Sequence, residues 1–229
     1  MSRSPRTGFV LLFGIAVSSV VSGQTVSYPY YSKPFAGVLP LGDGGPATSA
    51  ILNIPTAAVT DLAGNLYILD ANDNRIRKVS ADGRISTLAT LRIMFPMDMK
   101  LGPDGNFYVG GYGQVAKVSP AGVETIVAGT GTIGYDDGNG LATSALLSGV
   151  HGIALDSTGN VYFTDSGGFG SRVRMVTVDG RIRTIAGSAT YSGNFDSKPA
   201  TSAYLVNPSG IALDNLGNVY VADFCRIGK

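Results

Sequence analysis

One stretch of 11 residues recurs four times in the chain, and this repetition constrains the fold more than any other feature. The copies are TDLAGNLYILD (60–70), LGPDGNFYVGG (101–111), LDSTGNVYFTD (155–165) and LDNLGNVYVAD (213–223). Each copy follows a short apolar strand and contains a turn of the D-x-x-G-N type, whose residues favour the tight bend of a hairpin. Further strand patterns follow the second strand, separated by a second Gly-containing turn. Four antiparallel strands per repeat predict an all-β propeller built from four-stranded blades.

The spacing between copies varies because of Gly-rich insertions. The turn asparagines are Asn65, Asn106, Asn160 and Asn218, so successive copies lie 41, 54 and 58 residues apart. Insertions that contain an A-T-S-A element precede the first, third and fourth copies, at residues 42–55, 136–150 and 195–208. We expect this element to form about one helical turn, with a nearby Asp or Thr as its cap. Many of the 32 glycines of this 229-residue chain fall in these insertions and turns.

Together these motifs resemble the NHL-repeat family of β-propellers. The residues that carry the resemblance are P-S-G-I-A-L-D-N-L-G-N-V-Y-V-A-D in the last copy, R-I-R-x-V and R-I-R-T-I-A-G strands, and G-D-G-G-P-A-T-S-A. They cover essentially residues 35–229, and secreted bacterial-type members are the most similar. The resemblance implies a ring that usually has six blades. It also implies binding of proteins, RNA or carbohydrate-like ligands, with a minority of enzymes such as the peptidyl-hydroxyglycine amidating lyase.

The repeats predict the domain organisation. We place blades at residues 53–90, 95–130, 150–187 and 208–229, the last of them incomplete, within a propeller that spans residues 35–229. Because only about four blades can be counted, we expect a fragment of a longer, six-bladed ring. Residues 24–34 form an N-terminal segment before the propeller.

The N-terminus has the pattern of a secretory signal peptide. Arg3 and Arg6 precede a 13-residue apolar run at residues 9–21, which small residues follow. The run is shorter than the roughly 20 residues of a transmembrane helix, so an uncleaved anchor is the less favoured alternative. We therefore predict a signal peptide over residues 1–23, a secreted or extracytoplasmic protein, and no membrane span after cleavage.

Charge and rare residues exclude several classes of site. The chain has 17 basic and 16 acidic residues, so it lacks the basic excess of a nucleic-acid-binding protein. Its single histidine and single cysteine, Cys225, exclude an intrachain disulfide and any site that needs two imidazoles. The expected partner is therefore a protein or carbohydrate, and no nucleic acid.

Acidic and basic residues recur together at the end of the second strand and the start of the third. The predicted pairs are Asp70 with Arg75, Asp165 with Arg172, and Asp223 with Arg226. The second copy has lost both members, which are replaced by Gly111 and Gln114. Joint loss favours a structural Asp–Arg clamp, in which the carboxylate accepts hydrogen bonds from the guanidinium, over a row of metal ligands. The repeated tyrosines Tyr67, Tyr108, Tyr162 and Tyr220 are expected to be buried between blades.

A fixed position before the first strand of each copy is the candidate ligand site. It holds Thr56, Met97, His151 and Ser209, which the fold would place on the loop face near the central channel. These four side chains cannot supply the three ligands of a catalytic zinc, so we assign no catalytic residue and no metal. Calcium at Asp43 or at Asp136 and Asp137 is possible but unsupported, because the specific calcium-loop pattern is absent.

These observations predict a secreted, non-catalytic binding scaffold that holds a protein or glycan ligand through its loop face. The alternative is a metal-dependent propeller lyase or hydrolase with its active site in the central channel. No cofactor is predicted.

Overall fold

The chain forms four antiparallel β-sheets. The computed structural model describes residues 42–136, 139–167, 170–188, 199–224 and 226–229. The predicted signal peptide (1–23), the segment 24–34, Asp137 and Cys225 lie outside the described residues. Within each sheet the strands follow one another in chain order, so every connection is a hairpin. Three sheets have four strands and the last has three among the described residues.

The strands have the following bounds. The first sheet contains β1 (Pro55–Thr60), β2 (Leu66–Asp70), β3 (Arg75–Val79) and β4 (Ile85–Thr90). The second contains β5 (Met94–Leu101), β6 (Phe107–Tyr112), β7 (Gln114–Val118) and β8 (Glu124–Ala128). The third contains β9 (Val150–Leu155), β10 (Val161–Asp165), β11 (Arg172–Val176) and β12 (Ile182–Ala186). The fourth contains β13 (Pro208–Leu213), β14 (Val219–Asp223) and β15 (Arg226–Gly228).

The hairpins give each blade two distinct ends. Pro55 pairs with Asp70, and Asp70 pairs with Arg75, so the first strand begins where the second ends and the third begins. We call this end of the blades the entry face. The D-x-x-G-N turns lie at the other end, which we call the turn face.

The turns are held by a carboxylate that the repeated tyrosine also contacts. Asp61 accepts hydrogen bonds from the Asn65 side chain at 2.7 Å and from the Tyr67 hydroxyl at 3.0 Å. Asp156 and Asp214 make the same contacts in the third and fourth blades. In the second blade the carboxylate has moved two positions along the chain, and Asp104 receives the Tyr108 hydroxyl at 3.0 Å. The tyrosines therefore brace the turns as well as filling space.

These contacts tie the turns to pH. The hydrogen bond from the Asn218 side chain, together with bonds from backbone N–H groups and Tyr220, lowers the pKa of Asp214 to about 2. A carboxyl whose pKa is lowered by folding stabilises the fold above its unfolded pKa of about 3.9. This contribution is lost as the pH falls toward about 2.

The A-T-S-A element forms a three-residue 3-10 helix in each insertion, at Ala47–Ser49, Ala142–Ser144 and Ala200–Ser202. A further 3-10 helix, which lacks the A-T-S-A sequence, lies in the first blade at Ala71–Asp73. The predicted side-chain cap is wrong, because Pro46, Leu141 and Pro199 occupy the N-cap positions without a capping hydrogen bond. The segment is fixed by its backbone instead.

The insertions cover the edge of the outer strand. Ala47 N–H donates to Gly83 O at 2.8 Å, and Ile85 N–H donates to Gly45 O at 3.0 Å. In the third blade Ala142 N–H donates to Gly180 O at 2.8 Å, and Ile182 N–H donates to Gly140 O at 3.0 Å. Such covering protects an edge strand from pairing with another chain.

Apolar side chains between neighbouring sheets form the core. Leu69 and Ile76 of the first blade share one cluster with Met99, Phe107 and Val109 of the second. Similar clusters lie between the second and third blades and between the third and fourth. The first strands β1, β5, β9 and β13 consequently lie next to one another in order, which brings their beginnings together at the entry face.

Candidate functional site

The four candidate ligand residues occupy one structural position, a β-bulge near the beginning of each first strand. Thr56, His151 and Ser209 are each the unpaired residue where the register shifts, and Met97 lies within a longer irregularity between Met94 and Asp98. Thr56 and Ser209 are exposed, whereas Met97 and His151 are half-buried. A bulge re-aims a side chain locally, and this gives the four residues a shared structural position.

Contacts between first strands hold the bulges of neighbouring blades together. Asp98 on β5 accepts a hydrogen bond from the Ile153 N–H on β9 at 2.9 Å. Thr164 accepts from the Gly152 N–H at 2.9 Å and donates to the Ser209 carbonyl at 3.4 Å, which links the third blade to the fourth. Sequence reasoning missed Asp98. The sequence did contain a sign of its role. Asp98 places a charged residue in a first strand, at the position that Gly152 and Gly210 hold in later copies.

Aromatic side chains surround Gly149 at the entry face between the second and third blades. The rings of Phe95 and Tyr112 have their centroids 5.4 Å apart with an interplanar angle of 55°. A Cβ on Gly149 would lie 3.2 Å from Tyr112 Cε1 and 2.9 Å from His151 Cε1, so both rings approach this residue. We call Phe95, Tyr112, Gly149 and His151 the aromatic patch. Only His151 of these was a predicted site residue.

Two glycines and a left-handed residue make the aromatic patch possible. A Cβ on Gly111 would lie 2.5 Å from the Met94 carbonyl oxygen, so the loop before β5 lies directly on the second strand. Phe95 has φ of 47°, as Ile54 has 53° at the equivalent place in the first blade. This conformation is rare outside glycine and turns the chain sharply before the following proline. Phe95 is consequently 63% exposed.

His151 is fixed in one orientation by the same loop. Its Nδ1 lies 3.1 Å from the Gly149 carbonyl oxygen. A carbonyl only accepts, so Nδ1 carries the proton in this contact. In the neutral imidazole Nε2 is then an acceptor.

The predicted Asp–Arg pairs differ from blade to blade. Arg75 lies 3.2 Å from Asp70, and Arg226 lies 2.7 Å from Asp223. In the third blade Asp165 and Arg172 are cross-strand neighbours, but Arg172 donates to the Tyr135 hydroxyl and stacks on that ring at 4.5 Å. The ion-pair geometry is therefore present in the first and fourth blades and replaced in the third.

All three aspartates share another role, which is to hold the loop before the first strand. Asp165 accepts from the Ser148 N–H at 2.8 Å, and Asp223 accepts from the Val206 N–H at 2.9 Å. Asp70 accepts from the Asn53 N–H in the same way. In the second blade, where Gly111 replaces the aspartate, Glu124 accepts from the Arg92 N–H at 2.8 Å instead. These carboxylates position the segments that carry the bulges.

A second arginine on the third strand binds the acidic insertion loops. Arg77 and Arg174 are fully buried, and Arg77 donates to Asp43 at 2.6 Å. Arg174 donates to the Asp136 carbonyl at 2.7 Å. Two of the three aspartates considered for calcium, Asp43 and Asp136, therefore have guanidinium partners. Among the described residues no group of three or more His, Cys, Asp or Glu side chains is placed to hold a metal ion.

Comparison with known proteins agrees with the repeat geometry. The family model for the NHL repeat matches residues 205–226. Teneurin-3 of Danio rerio is 29% identical over 225 residues, which cover 81% of this chain and 8% of the relative. The chain contains an NHL repeat. It spans less than a tenth of the length of the teneurins that it matches.

Solved structures show the same fold as this NHL chain. A structural-genomics protein of unknown function from Bacteroides thetaiotaomicron VPI-5482 superposes with a TM-score of 0.63 at 23% identity, covering 74% of this chain and 44% of that one. An auxiliary nutrient binding protein from Bacteroides ovatus ATCC 8483 gives 0.62 at 20% identity, covering 76% and 46%. The predicted all-β propeller of antiparallel blades is confirmed.

The described part of the NHL chain contains no helix with the length and hydrophobicity needed to cross a lipid bilayer.

The buried carboxyl of Asp165 makes the stability of the NHL propeller depend on pH. Burial raises the pKa of Asp165 to about 6, although hydrogen bonds from Ser148 and Gly149 and the nearby Arg174 oppose it. The folded state therefore binds a proton more readily than the unfolded chain, whose aspartate pKa is about 3.9. This residue costs no stability below pH 4, and its cost grows as the pH rises through about 6.

We expect Asp165→Asn to remove this dependence. The amide oxygen of the new asparagine can still accept the hydrogen bond from the Ser148 N–H, and the asparagine side chain carries no charge at any pH. Relative to wild type the variant should gain about 2 kcal/mol in free energy of unfolding between pH 4.5 and pH 8. Urea denaturation of both proteins across this range gives the difference directly. A difference that stays constant with pH would show that Asp165 does not titrate in this window.

Proposed function

We propose that the chain is an extracytoplasmic, non-catalytic binding module that holds a protein or glycan ligand on its entry face. The observation that carries this proposal is the aromatic patch, where the exposed ring of Phe95, the half-buried ring of Tyr112 and a bulged histidine lie together on a rigid sheet scaffold. Binding residues are commonly displayed in this way, on loops and strand ends that a core holds in place. The predicted signal peptide supports the extracytoplasmic location.

The use of the carboxylates favours binding over a metal-dependent lyase or hydrolase. Asp70, Asp165 and Asp223 hold backbone N–H groups of the loops, and Asp43 binds a buried guanidinium. These groups position the entry face and leave apolar rings and neutral side chains to meet a ligand. The auxiliary nutrient binding protein from Bacteroides ovatus, which has the same fold, gives further support to a scaffold that binds.

A binding screen with face-specific variants tests the proposal. The full chain is immobilised and offered two probes, a panel of neutral disaccharides and a phage-displayed random peptide library. Met97→Glu and Ser209→Glu place a charge at two bulges of the entry face and should weaken binding at least about tenfold. Leu62→Glu is the matched control, because Leu62 is fully exposed at the turn face.

Two results would contradict the proposal. One is a ligand whose binding Leu62→Glu abolishes while the entry-face variants bind as wild type does. The other is conversion of a bound probe into product, lost in His151→Ala, which would identify an enzyme. Circular dichroism and the melting temperature of each variant verify that it is folded.

A further inference from the structure

We propose that the aromatic patch is a subsite for a neutral saccharide, with Phe95 and Tyr112 stacking on the sugar and His151 accepting a hydroxyl proton in a hydrogen bond. This inference rests on the proposed function and names the ligand class of the same face. It depends on the second blade, where the loop before β5 lacks the Gly-rich insertion found before β1, β9 and β13.

The geometry of the two rings suits a sugar ring. Phe95 and Tyr112 meet at 55° with centroids 5.4 Å apart, which forms a corner with two aromatic walls. An aromatic face carries negative charge density and attracts positively polarised edges. The C–H groups of a pyranose are polarised in this sense by the neighbouring oxygens, and they cluster on the faces of the ring. A sugar can therefore cover one wall with its face.

The histidine supplies the directional contact. Because Nδ1 donates to the Gly149 carbonyl at 3.1 Å, Nε2 of the neutral ring is an acceptor. A sugar hydroxyl is a donor of the matching kind. Binding sites commonly combine apolar and aromatic walls with a few placed polar groups of this type.

Charge favours a neutral saccharide over an acidic one. Phe95, Tyr112 and Gly149 carry no charge, and the neighbouring bulge residue Met97 is also neutral. Asp98 carries the charge nearest in sequence on β5, and Lys100 Nζ binds it at 2.7 and 2.8 Å. The pair neutralises itself, and Arg92, three residues before Phe95, lies 3.8 Å from Glu124, so each of these cations already has an acidic partner.

Calorimetric titration with named sugars tests the inference. The probes are maltose, cellobiose, lactose and xylobiose, with digalacturonate as the acidic comparison. At least one neutral disaccharide should bind. Phe95→Leu and Tyr112→Leu, which keep apolar bulk and remove the ring, should each weaken binding about tenfold. Phe95→Tyr and Tyr112→Phe keep the ring and should bind within about twofold of wild type. His151→Ala should weaken binding about fivefold.

Matched controls separate the subsite from exposed aromatic surface in general. Phe224 is 80% exposed and follows the second strand of the fourth blade, so Phe224→Leu should leave the affinity unchanged. Ser157→Glu tests the groove of about 460 Å³ that Ser157, Leu155 and Leu213 line toward the turn face. It should also leave the affinity unchanged.

The outcomes distinguish this inference from the proposed function. If the neutral sugars do not bind, or if Phe95→Leu binds them as wild type does, the saccharide subsite is refuted. Peptides selected on the entry face would then preserve the proposed function with a protein ligand. If sugars bind and only Ser157→Glu weakens their binding, both the subsite and the entry-face proposal fail.

Discussion

Gly129→Ala is expected to destabilise the protein by about 4 kcal/mol. Gly129 follows β8 with φ of 85°, and an added Cβ would lie 2.0 Å from the Gly113 carbonyl oxygen and 2.9 Å from Gln114 Cα. Both neighbours are backbone atoms at the start of β7, so relief requires the second blade to distort. The left-handed conformation costs an alanine about 1–2 kcal/mol, and the overlap adds about 1–3 kcal/mol. Gly187 occupies the equivalent place after β12, where a Cβ would lie 2.4 Å from the Ser171 carbonyl oxygen.

Gly105→Ala is the matched control for this prediction. Gly105 has a similar φ of 75°, but a Cβ there would meet nothing within 4 Å. It should cost only the conformational part, about 1 kcal/mol. Urea denaturation of the two variants beside wild type measures the difference. If the two alanines cost the same, the close approach of the two backbones contributes nothing and the prediction is wrong.

The strands and turns could be predicted because their signals are local. Asp156, Gly159 and Asn160 lie within five residues, and their hydrogen bonds close within the same turn. The second blade shows the limit of such signals. There Asp104 accepts the hydrogen bond from the tyrosine hydroxyl, as Asp61 does in the first blade, but it lies two residues later in the motif. A position-by-position alignment places Gly102 against Asp61 and misses the substitution.

Contacts distant in sequence were predicted less well. The pairing of Asp70 with Arg75 follows from one hairpin, and the structure places these side chains 3.2 Å apart. The partner of Arg77 is Asp43, which lies 34 residues earlier in an insertion loop. Nothing local relates them, because the insertion must first fold back along β4 before its carboxylate reaches the guanidinium.

The recurring slot before the first strand stays a prediction of the candidate site, and it did not include the aromatic side chains that the structure places beside it. The slot that holds His151 was identified because it recurs in each copy before the first strand. Phe95 and Tyr112 belong to no recurring position that suggests a ligand, and they meet only because the loop before β5 lies on Gly111. One signal in the sequence could have indicated this contact. The second copy ends its second strand with Gly110-Gly111, whereas the other copies have residues with side chains there.

Asp70→Ala is expected to destabilise the protein by about 3–5 kcal/mol, because it removes a fully buried carboxylate that holds three groups in place. Asp70 accepts the Asn53 N–H, lies 3.2 Å from Arg75 Nη2 and lies 3.9 Å from Arg77 Nη1. Arg77 is fully buried, so its charge would lose part of its compensation. Chemical denaturation at pH 7 gives the free energy of unfolding of each variant.

Asp73→Ala tests the role of burial, because Asp73 also pairs with Arg75 and accepts a hydrogen bond from the Asn53 side chain at 2.9 Å, but is partly exposed. It should cost at most about 1 kcal/mol, as exposed ion pairs do. A double-mutant cycle of Asp70→Ala with Arg75→Ala then divides the larger cost. A coupling energy above about 1 kcal/mol supports the clamp between strands. A coupling energy near zero would mean that Asp70→Ala costs the same whether or not Arg75 is present. The cost would then come from the loss of the bond to Asn53 in the preceding loop, and the clamp would be refuted.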